Sequence, residues 1–147
     1  MNLQYRKPSS AFIAVSWAAL FLGMLAYVVG LWNDTTMQFN EKGYYFTVMM
    51  YGLFSAISLQ KSVRDRIEKI PVSDIYYNLC WSSITISIIL LAIGLWNSTL
   101  QFSEKGFYAM AFALSLFAAI TVQKNTRDII EATQQSDQDT KYPDNSE

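Results

Sequence analysis

The sequence predicts an all-α membrane protein, with four transmembrane helices arranged as two tandem parallel-repeat hairpins. The first observation behind this is where the charges lie. Only 16% of the 147 residues are charged and 52% are hydrophobic, against about 25% charged in a soluble domain. No charge occurs in residues 11–32, 43–59, 75–96 or 106–122, stretches of 22, 17, 22 and 17 residues. The second observation is an internal repeat, "GLWNDTTMQFNEKGYY" at 30–45 and "GLWNSTLQFSEKGFY" at 94–108. The third is a one-sided distribution of Lys and Arg.

The elements follow in order. Residues 1–10 form a short N-terminal segment carrying Arg6 and Lys7. The first stretch is then long enough to span, because 22 helical residues rise about 33 Å against a hydrocarbon core of about 30 Å. Its apolar run exceeds the ~7–15 residues of a signal peptide, so it reads as a retained anchor. The second stretch is shorter, but Lys and Arg at its ends can reach back to the interface. Together these two give a first two-helix repeat over 11–69. Residues 70–74 are a linker, with Pro71 ending the helical extension before it. The second repeat covers 75–131. From Ala132 to Glu147 the chain is polar, acidic and without periodicity, as expected of a disordered cytoplasmic tail. A soluble bundle would instead show polar stripes at helical spacing.

Aligning Gly30 with Gly94 gives an offset of 64, which becomes 63 after one residue is lost in the second loop. The outer-loop motif then comprises Trp32, Asn33, Glu41, Lys42 and Gly43, matched by Trp96, Asn97, Glu104, Lys105 and Gly106. The inner motif comprises Gln60, Lys61, Arg64 and Asp65, matched by Gln123, Lys124, Arg127 and Asp128, within "QKSVRDRIE" and "QKNTRDIIE". Nine of the eleven Lys and Arg fall on the side of the inner motif. The positive-inside rule therefore puts both termini in the cytoplasm.

The motif residues have structural explanations. Trp32 and Trp96 belong in an aromatic belt with Tyr44, Tyr45, Phe107 and Tyr108. Asn40 and Ser103 are candidate N-caps, with Glu41 and Glu104 near the positive helix ends. Gly43 and Gly106 are expected to let each returning helix close tightly on its hairpin partner. Lys61 with Asp65, Arg64 with Glu68, Lys124 with Asp128 and Arg127 with Glu131 are four apart and can pair along a helix. Small residues also recur four apart, at Ala19 and Gly23, Ser83 and Ser87, Gly52 and Ala56, and Ser115 and Ala119. That spacing suits close helix packing in lipid.

The chain resembles the YiaA/YiaB family of bacterial inner-membrane proteins, on "GLWN", "EKGYY" with "EKGFY", and "QKSVRD" with "QKNTRD", over about residues 11–131. The resemblance implies a four-helix protein of the bacterial inner (plasma) membrane. It carries no activity and no functional residue.

With no His, one Cys (Cys80) and carboxylates only at the interfaces, no catalytic constellation, metal site or cofactor is expected. A net charge of −1 gives no reason to expect nucleic acid. The expected function is non-enzymatic, through the lipid bilayer, a membrane or cytoplasmic protein partner, or a homodimer. The alternative is a small-solute transporter or channel working as an oligomer. Against ion-coupled transport, no charge lies inside any span.

Overall fold

The computed structural model describes residues 8–141, with side chains to 138. Four helices account for nearly all of it: α1 (Ser10–Asn33), α2 (Phe39–Ile67), α3 (Asp74–Asn97) and α4 (Phe102–Lys141). Counterpart serines start the two apolar helices. The Ser9 hydroxyl accepts from the Phe12 amide at 3.3 Å, and the Ser73 hydroxyl from the Tyr76 amide at 3.2 Å, each satisfying a donor that the first turn leaves open. α2 and α4 begin just after Gln38 and Gln101, which take the cap position two residues before the expected caps Asn40 and Ser103. Glu41 and Glu104 decide this, because their carboxylates reach back to the Gln38 and Gln101 amides at 2.7 and 2.8 Å.

Three helices, α1, α3 and α4, are long and apolar enough to cross a membrane. α2 has the length but not the apolarity, with three tyrosines, Thr47, Ser55 and Ser58 within its uncharged stretch. Its position explains the difference. α1 packs along α4, and α2 packs along α3, while α2 and α4 adjoin at the centre. α2 thus has protein on two sides, and needs less apolar surface than the outer helices. α1 and α3 expose Phe21, Leu22, Leu25, Ile86, Ile89 and Ile93, an apolar surface that water would not tolerate but lipid matches.

The expectation that each repeat closes as a tight hairpin does not hold. α1 and α2 touch sparingly, and the extensive contacts run between repeats. Gly43 and Gly106 play no part in close approach, since a Cβ on either would meet nothing within 4 Å. The closely packed glycines are Gly23, Gly30, Gly52 and Gly94 instead. A Cβ on Gly23 would lie 2.6 Å from the Ser115 hydroxyl on α4, and one on Gly94 would lie 2.6 Å from the Tyr44 ring on α2.

The repeats diverge where their helices end. α2 stops at Ile67, ahead of Pro71, through a left-handed Lys69 (φ 59°). The Ile70 amide donates to the Asp65 carbonyl at 2.8 Å and the Lys69 amide to the Arg66 carbonyl at 3.1 Å, the paired bonds of a Schellman cap. In the second repeat no such cap occurs, and α4 continues to Lys141. The stretch from Ala132 expected to be disordered is therefore helical as far as Lys141. No proline interrupts it before Pro143, and it extends a helix already nucleated, which is the costly step. Residues 142–147 of that expected tail, and Arg6 and Lys7, lie outside the described residues.

Candidate functional site

The repeated motifs gather at the two ends of the bundle. At the outer-loop end, Glu and Lys of "EKG" have separate tasks. Glu41 and Glu104 secure the starts of α2 and α4. The Lys42 ammonium donates to the Trp32 carbonyl at 3.2 Å, and that of Lys105 to the Trp96 carbonyl at 3.5 Å. Each lysine thus places its charge on the negative C-terminal end of the preceding helix. The one-residue difference between the loops centres on Asp34. Its carboxylate accepts from the Thr36 amide and hydroxyl and from the Met37 amide, at 2.8, 2.7 and 3.2 Å. Burial works against the charged form, but these donors outweigh it and hold the Asp34 carboxyl below the usual carboxylate range.

The rest of the outer motif meets across the repeats. Gly30 of the first "GLWN" lies against Phe107 and Tyr108, and Gly94 of the second against Tyr44 and Tyr45. The counterparts Tyr45 and Tyr108 stack on each other, with ring centroids 6.2 Å apart and planes at 17°. Tyr27 packs edge-on to Tyr108, and its hydroxyl donates to the Tyr45 carbonyl at 3.0 Å. Two shallow clefts flank this stack. Asn33 lines one with Glu104, and Asn97 lines the other with Glu41. Trp32 and Trp96 point outward, fully available to an interface, with Phe39 and Phe102 still more exposed.

At the other end the inner motif builds an ionic quartet. Arg64 bonds Glu68 on its own helix at 2.9 Å and Glu131 on α4 at 3.1 Å. Arg127 bonds Glu131 on its own helix and Glu68 on α2. Two Arg and two Glu in counterpart positions therefore close a ring between the repeats. Asp65 adds a longer contact, 4.0 Å from Arg127, in place of the expected pair with Lys61. Lys124 and Asp128 form their expected pair at 3.0 Å. Hydrogen bonds from Arg127 and then Arg64 hold the Glu68 carboxyl low. Burial opposes the charge on Arg127, but Glu131 and Glu68 outweigh it and raise its affinity for the proton.

Beside the quartet a groove of about 950 Å³ opens between α2, α3 and α4. Its floor and walls are apolar, from Ile88 and Leu116 through Ala56, Ile84 and Ile120. Gln60, Arg64, Glu68, Lys124 and Asp128 line its inner end. The side-chain oxygen of Gln60 is buried and has no donor among the described residues. On the far side of the bundle, Asn125 is 2% exposed and donates to the Ser16 hydroxyl at 3.0 Å, tying α4 to α1.

Sequence reasoning gave the pairs Arg64 with Glu68, Arg127 with Glu131 and Lys124 with Asp128 along each helix, but missed the partners across the repeats. Glu68 and Glu131 are identical in both copies, and that identity was the available signal for the quartet. Gly30 and Gly94 are likewise identical. Nothing in the repeat marked Asn125, which faces Ser62 in the alignment.

An all-helical chain with three membrane-competent helices and an apolar outer surface defines a multi-pass membrane protein. The description "yiaA/B two helix domain" matches it twice, over residues 12–65 and 76–128. The chain is 59% identical to the inner membrane protein YiaA of Escherichia coli (strain K12) over 120 residues, 82% of each chain. It is 36% identical to the uncharacterized membrane protein YubF of Bacillus subtilis (strain 168) over 68 residues, 46% of this chain and 78% of YubF. It belongs to the YiaA/B family. No solved structure matches it.

Proposed function

We propose that this protein crosses the inner membrane four times, as two tandem two-helix units with both termini in the cytoplasm, and acts without catalysis by holding a membrane lipid. Two domain matches support the tandem arrangement. The sheltered position of α2 supports a fourth span despite its tyrosines and serines. Nine of eleven Lys and Arg on the inner-motif side support the orientation.

The observation that carries the lipid reading is the groove. From Leu116 to Asp128 it follows thirteen residues of α4, about 18 Å of helix. One leaflet of hydrocarbon is about 15 Å deep, half of the whole core. Its apolar part, from Leu116 up to Lys124, covers about 12 Å of that, most of one leaflet, and the charged residues at its inner end then fall near the lipid head groups. The quartet closes the α2/α4 seam beside it, and so shapes the groove rather than serving as a reaction centre.

Reporter fusions after Asp74 and at the C-terminus should both report cytoplasm, and one near Thr36 the opposite side. A C-terminus on the far side would refute the four-span orientation. Purified protein should retain lipid in mild detergent, and Ile88→Trp, which fills the groove, should release it. Solute flux through vesicles containing this protein alone would favour a channel instead.

A further inference from the structure

We infer that the groove selects a zwitterionic phospholipid whose head carries a primary ammonium beside its phosphate; this rests on the lipid reading above. The argument starts from charge. The groove's inner end has two cations, Arg64 and Lys124, and two anions, Glu68 and Asp128. An anionic head group would gain no net attraction there. A head carrying both signs matches the lining in kind.

The four charges are not equally available. Arg64 and Glu68 are committed to the quartet, each with partners on both helices. Among the described residues Lys124 and Asp128 pair only with each other; the Lys124 side chain is 62% exposed and that of Asp128 17%. Their pairing is thus the one a ligand can exchange at least cost, because the lysine swings free into solvent and breaks no contact between helices. The phosphate takes the ammonium of Lys124. The head-group ammonium takes the carboxylate of Asp128.

Gln60 narrows the choice further. Its carboxamide oxygen is buried without a donor among the described residues, as is that of its counterpart Gln123, but only Gln60 lines the groove. A buried acceptor left unpaired costs free energy, and a hydrogen bond from a charged donor more than offsets it. A primary ammonium has three N–H groups, enough for both Asp128 and Gln60. A quaternary ammonium has none. The acyl chains lie along Ile120, Leu116 and Ile88, and the length of the groove admits one leaflet's lipid, not two.

The test uses the full chain, purified and returned to nanodiscs of defined composition. Retention of added lipid is read by native mass spectrometry for phosphatidylethanolamine, phosphatidylcholine and phosphatidylglycerol. Phosphatidylethanolamine should be retained about tenfold better than either of the others, the worth of one hydrogen bond to a charged group. Gln60→Leu and Asp128→Asn should each erase most of that preference. Equal retention of the three, or preference for phosphatidylglycerol, would overturn the head-group assignment and leave the lipid reading standing. Retention of none would overturn both, as would a preference untouched by Gln60→Leu and Asp128→Asn together with unchanged retention in Ile88→Trp.

Discussion

The α1/α4 and α2/α3 interfaces occupy counterpart positions, yet their polar ties differ. In α1/α4 the tie is at the inner end, where Asn125 meets Ser16. The counterparts of these residues, Ser62 and Cys80, are both buried. In α2/α3 the Tyr44 hydroxyl donates to the Leu90 carbonyl at 2.6 Å at the outer end, and Arg66 pairs with Asp74 where the two helices adjoin the linker. Its counterpart, Phe107, has no hydroxyl to offer. What the two interfaces share is shape: a glycine of "GLWN" against two aromatic rings of the other repeat. Close packing therefore defines the architecture, while the polar ties differ from one pair to the other. This agrees with the general balance in lipid, where tight contact contributes more than individual polar bonds.

That comparison is broken most severely through the glycines. Gly23→Leu should destabilise the α1/α4 interface by about 1–3 kcal/mol or more, because its side chain must displace Ser115 and α4 backbone. Gly43→Leu, at an open position, should have little effect. Comparing the two in thermal unfolding in detergent checks this directly, and similar losses would argue against packing between repeats.

The quartet comes next. Its side chains are 17–29% exposed, between a surface pair worth ~0–1 kcal/mol and a buried pair whose breakage costs about 3–5 kcal/mol. Glu131→Ala should therefore cost about 1–2 kcal/mol. A double-mutant cycle with Arg64→Ala should show coupling between the helices. The effect of pH has a defined sign. The folded Glu68 carboxyl lies below its unfolded value, so its stabilisation is present above the ordinary carboxylate range and is lost as pH falls through the folded value. Unfolding midpoints should drop on the acid side of about pH 4.5, and Glu68→Gln should flatten that drop.

The smallest effects come from exchanging counterparts. Tyr44→Phe gives α2/α3 the residue found in the other repeat, and Asn125→Ser does the same for α1/α4. Each should cost about 0.6–1 kcal/mol, the typical worth of an interhelical hydrogen bond in a membrane protein. The two losses should add, because the ties lie at opposite ends of the bundle.

Much of the fold was legible in the sequence for a physical reason. Bilayer thickness and the cost of burying charge leave a signal in a single chain, visible as the uncharged stretches at 11–32 and 75–96. The tasks of Glu41 and Lys42 were legible in part, because helix termini demand such residues locally. Partners across the repeats were not legible. A parallel repeat is equally compatible with α1 packing on α2 or on α4, since both neighbours offer the same motif. Gly43 was misassigned for this reason, as it adjoins the loop but faces no helix. Pro71 marked the end of α2 to within two residues, but the cap itself was not legible, because it uses Lys69 in a conformation that usually signals glycine. The groove has no sequence signature, as its walls come from three helices.

Cysteine crosslinking across the helices tests the crossing of repeats most directly. Ser16 bonds Asn125, whereas a hairpin packed within its own repeat would set Ser16 against Ser62, the counterpart of Asn125. In a Cys80→Ser background, Ser16→Cys with Asn125→Cys should form an intramolecular disulfide readily in native membranes. Ser16→Cys with Ser62→Cys should not. A disulfide between positions 16 and 62, with none between 16 and 125, would contradict the crossed arrangement.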